Sequence, residues 1–255
     1  MKRIILLLAM SVLSSSLSFG QKKYEMVIEK TDGTESVFNT EDVARTYFRE
    51  RGHSDTSCPD SNHPHLINLG LPSGTKWACC NVGATKPEAY GGYYAWGETE
   101  EKSYYDYSTY KWCNGSYFTQ TKYCDSSFYG TVDNKTILDP EDDVAHVKWG
   151  GNWKIPTREQ IRELLNNCNY EWTTVNGVKG GKFTSNINSK SIFLPAAGNR
   201  WIGDLKYAGE HGYCWSSERG GTSGEACALG FDSVEAKHLA HCDRAEGFPA
   251  RPVQK

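Results

Sequence analysis

Apolar positions recur along this chain at different spacings, and each spacing predicts a different kind of element. Tyr24, Met26 and Ile28 alternate with polar neighbours, which predicts a strand. Asp32-Gly33 supplies a turn, and Val37 and Phe38 lie on the returning strand of a hairpin. Asn39 and Thr40, ahead of Glu41-Asp42, are placed to cap one helical turn. A two-stranded hairpin is marginal alone in water, so this one must pack on the main module, pair with another chain or be loosely held. The stretch from Arg49 to His65 has no apolar period and reads as a polar linker.

From Leu66 onward the apolar anchors Ile67, Leu69, Leu71, Trp77 and Val82 are broken by Gly70, Pro72-Ser73-Gly74 and Gly83. Tyr93, Tyr94 and Trp96 read as a short strand, and Glu98 to Asp133, dense in Tyr, Ser, Asn and Asp, as a long ordered loop region. Helical signals are central. Asp139-Pro140 with Glu141, Asp142 and Asp143 predicts a helix start, the helix running to Trp149 and stopping at Gly150-Gly151. Thr157 with Gln160 is a capping-box pair, followed by Ile161, Leu164, Leu165 and Cys168 at helical spacing. Strands are expected again at Gly180 to Thr184, Ser191 to Leu194, Tyr213 to Ser217, Ala226 to Phe231 and Phe248 to Val253. Strands, two helices, then strands argue for an α+β fold.

The first residues change the picture of where the protein works. Lys2 and Arg3 precede the apolar run Ile4 to Leu13, and Ser18 and Gly20 stand at −3 and −1 of a cut before Gln21. That is the order of a secretory signal, and the run is shorter than the roughly 20 residues of a membrane span. The expected organisation is a signal peptide over 1–20, a hairpin appendage over 21–48, a linker over 49–65 and the main domain over 66–255. With 28 Lys and Arg against 31 Asp and Glu, there is no basic stripe for nucleic acid. Nine cysteines, an odd number, leave at least one thiol free or paired with another chain. Cys113 and Cys124 flank a turn-rich segment and are the first candidates for a pair, with buried thiols as the equal alternative.

Catalytic patterns are weak. Cys80 and His146 can be written as nucleophile and base, but nothing in the spacing places them together. His63, His65 and Cys58 in the linker, or His238, His241 and Cys242 with Cys227, have metal-ligand chemistry, and solvated polar stretches explain both sets better. The acids from Asp139 to Asp143 have oxygens for calcium, yet a helix start explains them without an ion. No cofactor is expected. The aromatic residues are harder to dismiss. Trp201, Tyr207, His211, Tyr213 and Arg219 cluster near glycine-rich turns, and such side chains dominate binding hot spots. Along Ala226 to Phe231, alternation turns Cys227, Leu229 and Phe231 inward and Ala226, Ala228 and Gly230 outward. The mixed stretch from Asp232 to Glu246, with His238, His241, Asp243 and Arg244, lacks periodicity and has the character of a recognition loop on a rigid scaffold. The expected ligand face is therefore Trp201, Tyr207, His211, Tyr213, Arg219, Ala228, Gly230, Asp232, His238, His241, Asp243 and Arg244.

Several blocks also resemble a known family. Leu69-Gly70-Leu71-Pro72-Ser73-Gly74-Thr75-Lys76-Trp77-Ala78, Tyr94-Ala95-Trp96-Gly97-Glu98-Thr99, Trp149-Gly150-Gly151-Asn152-Trp153-Lys154-Ile155-Pro156-Thr157, Phe193-Leu194-Pro195-Ala196-Ala197-Gly198 and Gly247-Phe248-Pro249-Ala250-Arg251-Pro252-Val253 resemble the "major paralogous domain" family of exported bacterial proteins. That family is similar in turn to C-type-lectin-like folds of the formylglycine-generating-enzyme type. The resemblance implies a module in which two helices flank one small twisted antiparallel sheet, with the hairpin as an appendage. Cys214, Cys227 and Cys242 form no close pair of the kind that holds copper in those enzymes. The resulting expectation is an exported, non-catalytic recognition or adhesion protein of the periplasm, outer surface or extracellular space. Its ligand would be an extracellular protein or glycan, with no transmembrane segment and with the hairpin available for strand pairing. The alternatives are a structural or appendage subunit and, behind it, a metal or redox enzyme.

Overall fold

The computed structural model describes residues 25–29, 34–39 and 66–255. The export signal over 1–20, the Asp32-Gly33 turn, the helical turn after Asn39 and the linker over 49–65 lie outside the described residues. The chain divides into two compact units, Met1–Glu50 and Arg51–Lys255. In the first, β1 (Glu25–Glu29) pairs antiparallel with β2 (Glu35–Asn39), with Val27 directly opposite Val37.

The second unit corrects the expected architecture. Its helices are there, α1 (Val144–Trp149) and α2 (Arg158–Asn167), but the strands do not form one small twisted sheet. They are spread over four separate small sheets. β3 (Leu66–Ile67), β4 (Lys76–Ala78) and β13 (Val253–Gln254) make the first, in the order β13-β4-β3. β5 (Cys168–Val175), β6 (Val178–Ser185) and β7 (Ser191–Pro195) make an antiparallel meander. β8 (Asn199–Trp201) and β9 (Asp204–Lys206) are a two-stranded ribbon. β10 (Gly212–Arg219), β11 (Glu225–Phe231) and β12 (Ala236–Asp243) form a second meander. The physical reason is strand length. Five of these strands are two or three residues long, too short to carry a ladder across a wide sheet.

Local chemistry explains most elements. The Asn176-Gly177 pair, both at positive φ, makes the two-residue turn between β5 and β6. Thr157 caps α2 in a reciprocal capping box with Gln160, and Ile161 and Leu164 are fully buried. The first helical segment differs from expectation. Pro140–Asp142 is a single 3-10 turn, Asp139 makes no side-chain cap, and the chain extends at Asp143 before α1 begins. Asp143 is the cap instead, accepting from the N–H groups of Ala145 and His146 and also from that of Ile155. Cys113 and Cys124 are not bonded to each other. Each thiol donates to a carbonyl close in sequence, Cys113 to Tyr107 and Cys124 to Ser126.

The meander β10-β11-β12 is buried on both faces. Cys214, Leu229 and Phe231 join Leu69, Trp77, Ile161, Leu164 and Phe183 in one cluster. Trp215, Ala226, Ala228 and Cys242 join Trp96, Tyr123, Ile155 and Phe248 in another. The outward face expected for Ala226, Ala228 and Gly230 therefore does not exist, and all three are buried. A methyl group on Gly230 would lie 2.5 Å from Leu239.

Residues 98–136 contain no helix and only isolated bridges, and one buried side chain gathers several points of the stretch. Arg244 is fully buried. Its guanidinium donates to the Tyr110 hydroxyl at 2.9 Å, the carbonyls of Ser223 at 2.6 Å and Lys122 at 3.0 Å, and more weakly to that of Tyr123. It also lies over the rings of Trp96, Tyr110 and Tyr123. A lysine offers one compact donor group and cannot span these acceptors. Arg244→Lys is expected to lower stability by about 2–4 kcal/mol, since buried acceptors left unmet cost about 1–3 kcal/mol each. It should also open residues 103–131 to protease. Urea unfolding and limited proteolysis measure both; a midpoint unchanged from wild type would remove Arg244 from this role.

Candidate recognition surface

The twelve residues expected to meet a ligand do not form one face. Ala228, Gly230 and Arg244 are buried and present no surface. His238 stands opposite Leu229 on the side of the sheet that carries α2. Its Nε2 is buried without a hydrogen-bond partner, and burial, then Arg162 and Arg158, hold its pKa below the usual histidine value.

A second group is an aromatic ladder. Tyr207 meets His211 edge-on at 5.3 Å, His211 stacks on Tyr213 at 6.3 Å, and Tyr213 stacks on Phe248 at 4.6 Å. Asp232 lies 3.8 Å from His211, and Trp201 packs half-buried against the cluster of Tyr93, Tyr105 and Ala197. Burial raises the Tyr213 hydroxyl to about 12. Only Tyr207, 52% exposed, offers a largely open ring here. Beneath the ladder, Asn199 donates to Glu246 at 2.9 Å.

The third group lies at the turn between β10 and β11. The Arg219 side chain is nearly buried and pairs with Asp125, whose other oxygen accepts from Ser223. His241 pairs with Glu225 at 2.9 Å, and Glu225 also accepts from the N–H of Thr222. Thr222 in turn shares a 2.6 Å bond with the Tyr117 hydroxyl. Asp243 accepts from Tyr107 at 2.9 Å, and burial raises its pKa.

These bonds lead into a set of residues that sequence reasoning treated only as loop. Tyr107, Tyr117, Phe118, Phe128 and Tyr129 form a continuous ring cluster, with Phe118 and Phe128 5.3 Å apart. Phe118 is 54% exposed and Phe128 68% exposed. Their turns are fixed by backbone. Thr119 N–H donates to Ser116, Tyr129 N–H to Ser126, and each phenylalanine N–H reaches the hydroxyl oxygen of the serine two positions before it at 3.3 Å. Gln120 ties the turns together by bridging Cys113 on one side and Gly130 on the other. Gly130, at φ 146°, could not be replaced, because a methyl group there would sit 2.1 Å from the Gln120 carbonyl. The signal that marks these residues is a near-repeat, Lys111-Trp112-Cys113-Asn114 and Lys122-Tyr123-Cys124-Asp125, each followed by serine and paired aromatics.

The acidic segment is engaged by lysines. Asp142, nearly fully buried, accepts from Lys122 at 2.6 Å and Tyr123 at 2.6 Å and lies 3.4 Å from Lys111, while Asp139 pairs with Lys122 and Lys135. Asp143 opens onto a cleft of about 610 Å³ bordered by Ile137, Leu138, His146, Trp153 and Ser217. Burial pushes the Asp143 carboxyl up to about 6 despite its bonds to three backbone N–H groups. His146 lines that cleft, whereas Cys80 is buried beside Cys79 and Ala84, where its thiol donates to the Ala84 carbonyl. Among the described residues, no group of three His, Cys, Asp or Glu side chains is arranged to hold a metal ion. No described helix is long and apolar enough to cross a membrane.

Glu246 gives this region a pH dependence. Burial pushes its carboxyl from the ordinary 4.5 up to about 7, against the Asn199 hydrogen bond that lowers it. The folded protein then holds more protons than the unfolded chain between these two values, so this group's contribution to stability falls as pH rises through that window. Glu246→Gln keeps an acceptor for Asn199 and removes the ionisation. Its melting temperature relative to wild type should rise as the pH goes from below to above that window, as calorimetry at each pH will show; a constant difference would contradict the shift. No family model, curated protein or solved structure matches the chain.

Proposed function

We propose that this is an exported, non-catalytic recognition protein that binds an extracellular protein or glycan through the surface built by the 113–131 turns and the adjoining ends of β10, β11 and β12. The observation that carries this reading is the pair Phe118 and Phe128. Two large rings stand open to solvent on turns whose backbone is tied at several points. Rigid, exposed aromatics lose little entropy on binding and supply wide contact area. Residues 113–131 hold three Tyr, three Ser and two Gly, residue types that also prevail in antibody combining sites. His241, Glu225 and Asp243 add polar groups at the same edge. Trp201, Tyr207, His211, Tyr213 and Asp232 are a separate ring ladder, with Tyr207 as its exposed end.

The thiols favour binding over chemistry. Cys227 donates to the Arg219 carbonyl, and burial raises its pKa, as it raises Cys214 to about 12. A nucleophilic cysteine needs the opposite environment, electropositive and open. Export rests on the order of residues 1–20, and the resemblance to the major paralogous domain family of exported proteins supports it. Periplasm, outer surface and extracellular space all satisfy the reading. A structural or appendage subunit is the second reading, favoured by Val27 and Val37. They face one another across the hairpin and are each about half exposed, at 51% and 54%.

Two measurements test this. Mass analysis of the exported protein should give an N-terminus at Gln21; an intact Met1 on exported material would refute signal cleavage. On arrays of extracellular proteins and glycans, the wild-type protein should bind at least one ligand, and Phe118→Ala combined with Phe128→Ala should weaken it about tenfold or more, since truncated anchors cost over 1 kcal/mol each. An array without binding, or binding only to further copies of this chain, would favour the structural subunit.

A further inference from the structure

The two tips suggest what kind of ligand they meet. Resting on the recognition reading above, we infer that the ligand is a neutral glycan, with neighbouring sugar units of one chain lying over the Phe118 and Phe128 turns. Three observations lead there. The first is duplication. Lys111 to Phe118 and Lys122 to Tyr129 share the order lysine, aromatic, cysteine, Asn or Asp, then serine and two aromatics. The likeness is also structural. In both segments the cysteine thiol donates to a carbonyl, Cys113 back to Tyr107 at 3.0 Å and Cys124 forward to Ser126 at 3.2 Å. Each copy also carries a turn in which a serine hydroxyl accepts from the phenylalanine N–H two residues later, Ser116 from Phe118 and Ser126 from Phe128, the second turn coming one position earlier in its copy. The lysines Lys111 and Lys122 both lie over the Trp112 ring and both reach Asp142. Two like-built tips side by side offer one kind of contact twice, which suits a ligand that itself repeats.

The second observation is charge. Asp125 is paired with Arg219, Glu225 with His241, and Lys122 with Asp139 and Asp142. Arg219 and Lys122 are each held by a carboxylate of the protein, so neither is free to draw in an anionic polymer. The third is what lies exposed beside the rings. Asn114, Ser127 and Thr131 are exposed, and each is a neutral donor and acceptor. A sugar ring has C–H faces, which lie favourably against the negative face of an aromatic ring, and hydroxyls, which meet amide and hydroxyl partners. An apolar protein face would cover the phenylalanines and leave Asn114 and Ser127 without partners.

The experiment is native electrophoresis of the full chain through gels that contain a neutral polysaccharide (a soluble β-glucan, xylan, mannan or galactan) or the charged polygalacturonate. Wild type is compared with Phe118→Ala, Phe128→Ala, the double variant and Phe128→Tyr. Both phenylalanines lie outside the core and touch only surface rings, so the variants should fold, and melting temperatures taken in parallel separate loss of binding from loss of fold. At least one neutral polysaccharide should retard the wild type. Each alanine variant should bind about tenfold more weakly, a typical anchor loss. The double variant should run unretarded, and Phe128→Tyr should keep retardation because it keeps the ring. Three outcomes overturn the inference. If no neutral polysaccharide retards the protein while the double variant still loses an arrayed protein ligand, the glycan class is wrong and the recognition surface stands. If retardation occurs but the alanine variants retain it, the tips are not the binding site. If polygalacturonate retards the protein as strongly as the neutral polymers, the charge argument fails.

Discussion

A guanidinium in the core holds the long loop to the rest of the domain. Arg244 has no carboxylate partner among the described residues; its donors go to a phenol and to carbonyls, and its faces to aromatic rings. Such a group costs a great deal to bury and is tolerated only when its hydrogens are met. That requirement runs in both directions. The arginine stays buried because the loop wraps it, and the loop, with no ladder of its own, is fixed because the arginine collects its carbonyls. Arg251 repeats the device elsewhere. It is fully buried and donates to Asn81 and to the carbonyls of Ala78 and Phe193, joining segments far apart in sequence.

This arrangement accounts for a fold with so little regular structure around its rings. Four small sheets cannot satisfy the backbone of the loop over 98–136, so side chains take over the task. Asp133 accepts from the N–H groups of Tyr123 and Cys124, and Asp143 from three more. Charged and amide groups inside the domain thus do the work that a wider sheet would do with carbonyls.

Sequence reading reached the parts governed by local chemistry. The Thr157–Gln160 capping box and the buried faces of Ile161 and Leu164 follow from spacing, because a helix repeats its environment every turn. It failed where the environment is made by distant segments. Ala228 and Gly230 were expected outside because alternation assumes a sheet with one wet face, and β11 has none. The stretch from Asp232 to Glu246 lacked an apolar period, yet Ala236–Asp243 is a strand. Its polar members find partners on other segments, His241 with Glu225 and Asp243 with Tyr107. Arg244 was placed at the surface because arginines are seldom fully buried without a partner charge. Of the expected ligand face, His241, Asp243 and Arg219 come to the edge of the aromatic tips. The tips themselves were legible only as a doubled motif, whose meaning depends on Gln120 bringing the copies together.

The way those tips are held separates two demands that usually compete. The backbone at Phe118 and Phe128 is positioned by the serines before them and by the main chain of Gln120 and Gly130, while their rings touch the surface rings of Tyr117 and Tyr129 and stay out of the core. Exchanging the side chain at either tip therefore alters what the surface touches at the expense of surface ring contacts alone, leaving the core that folds the domain unchanged. A lineage carrying this architecture could change its binding preference by single substitutions at two positions, while Gly130, Gln120 and Arg244 stayed under stabilising selection.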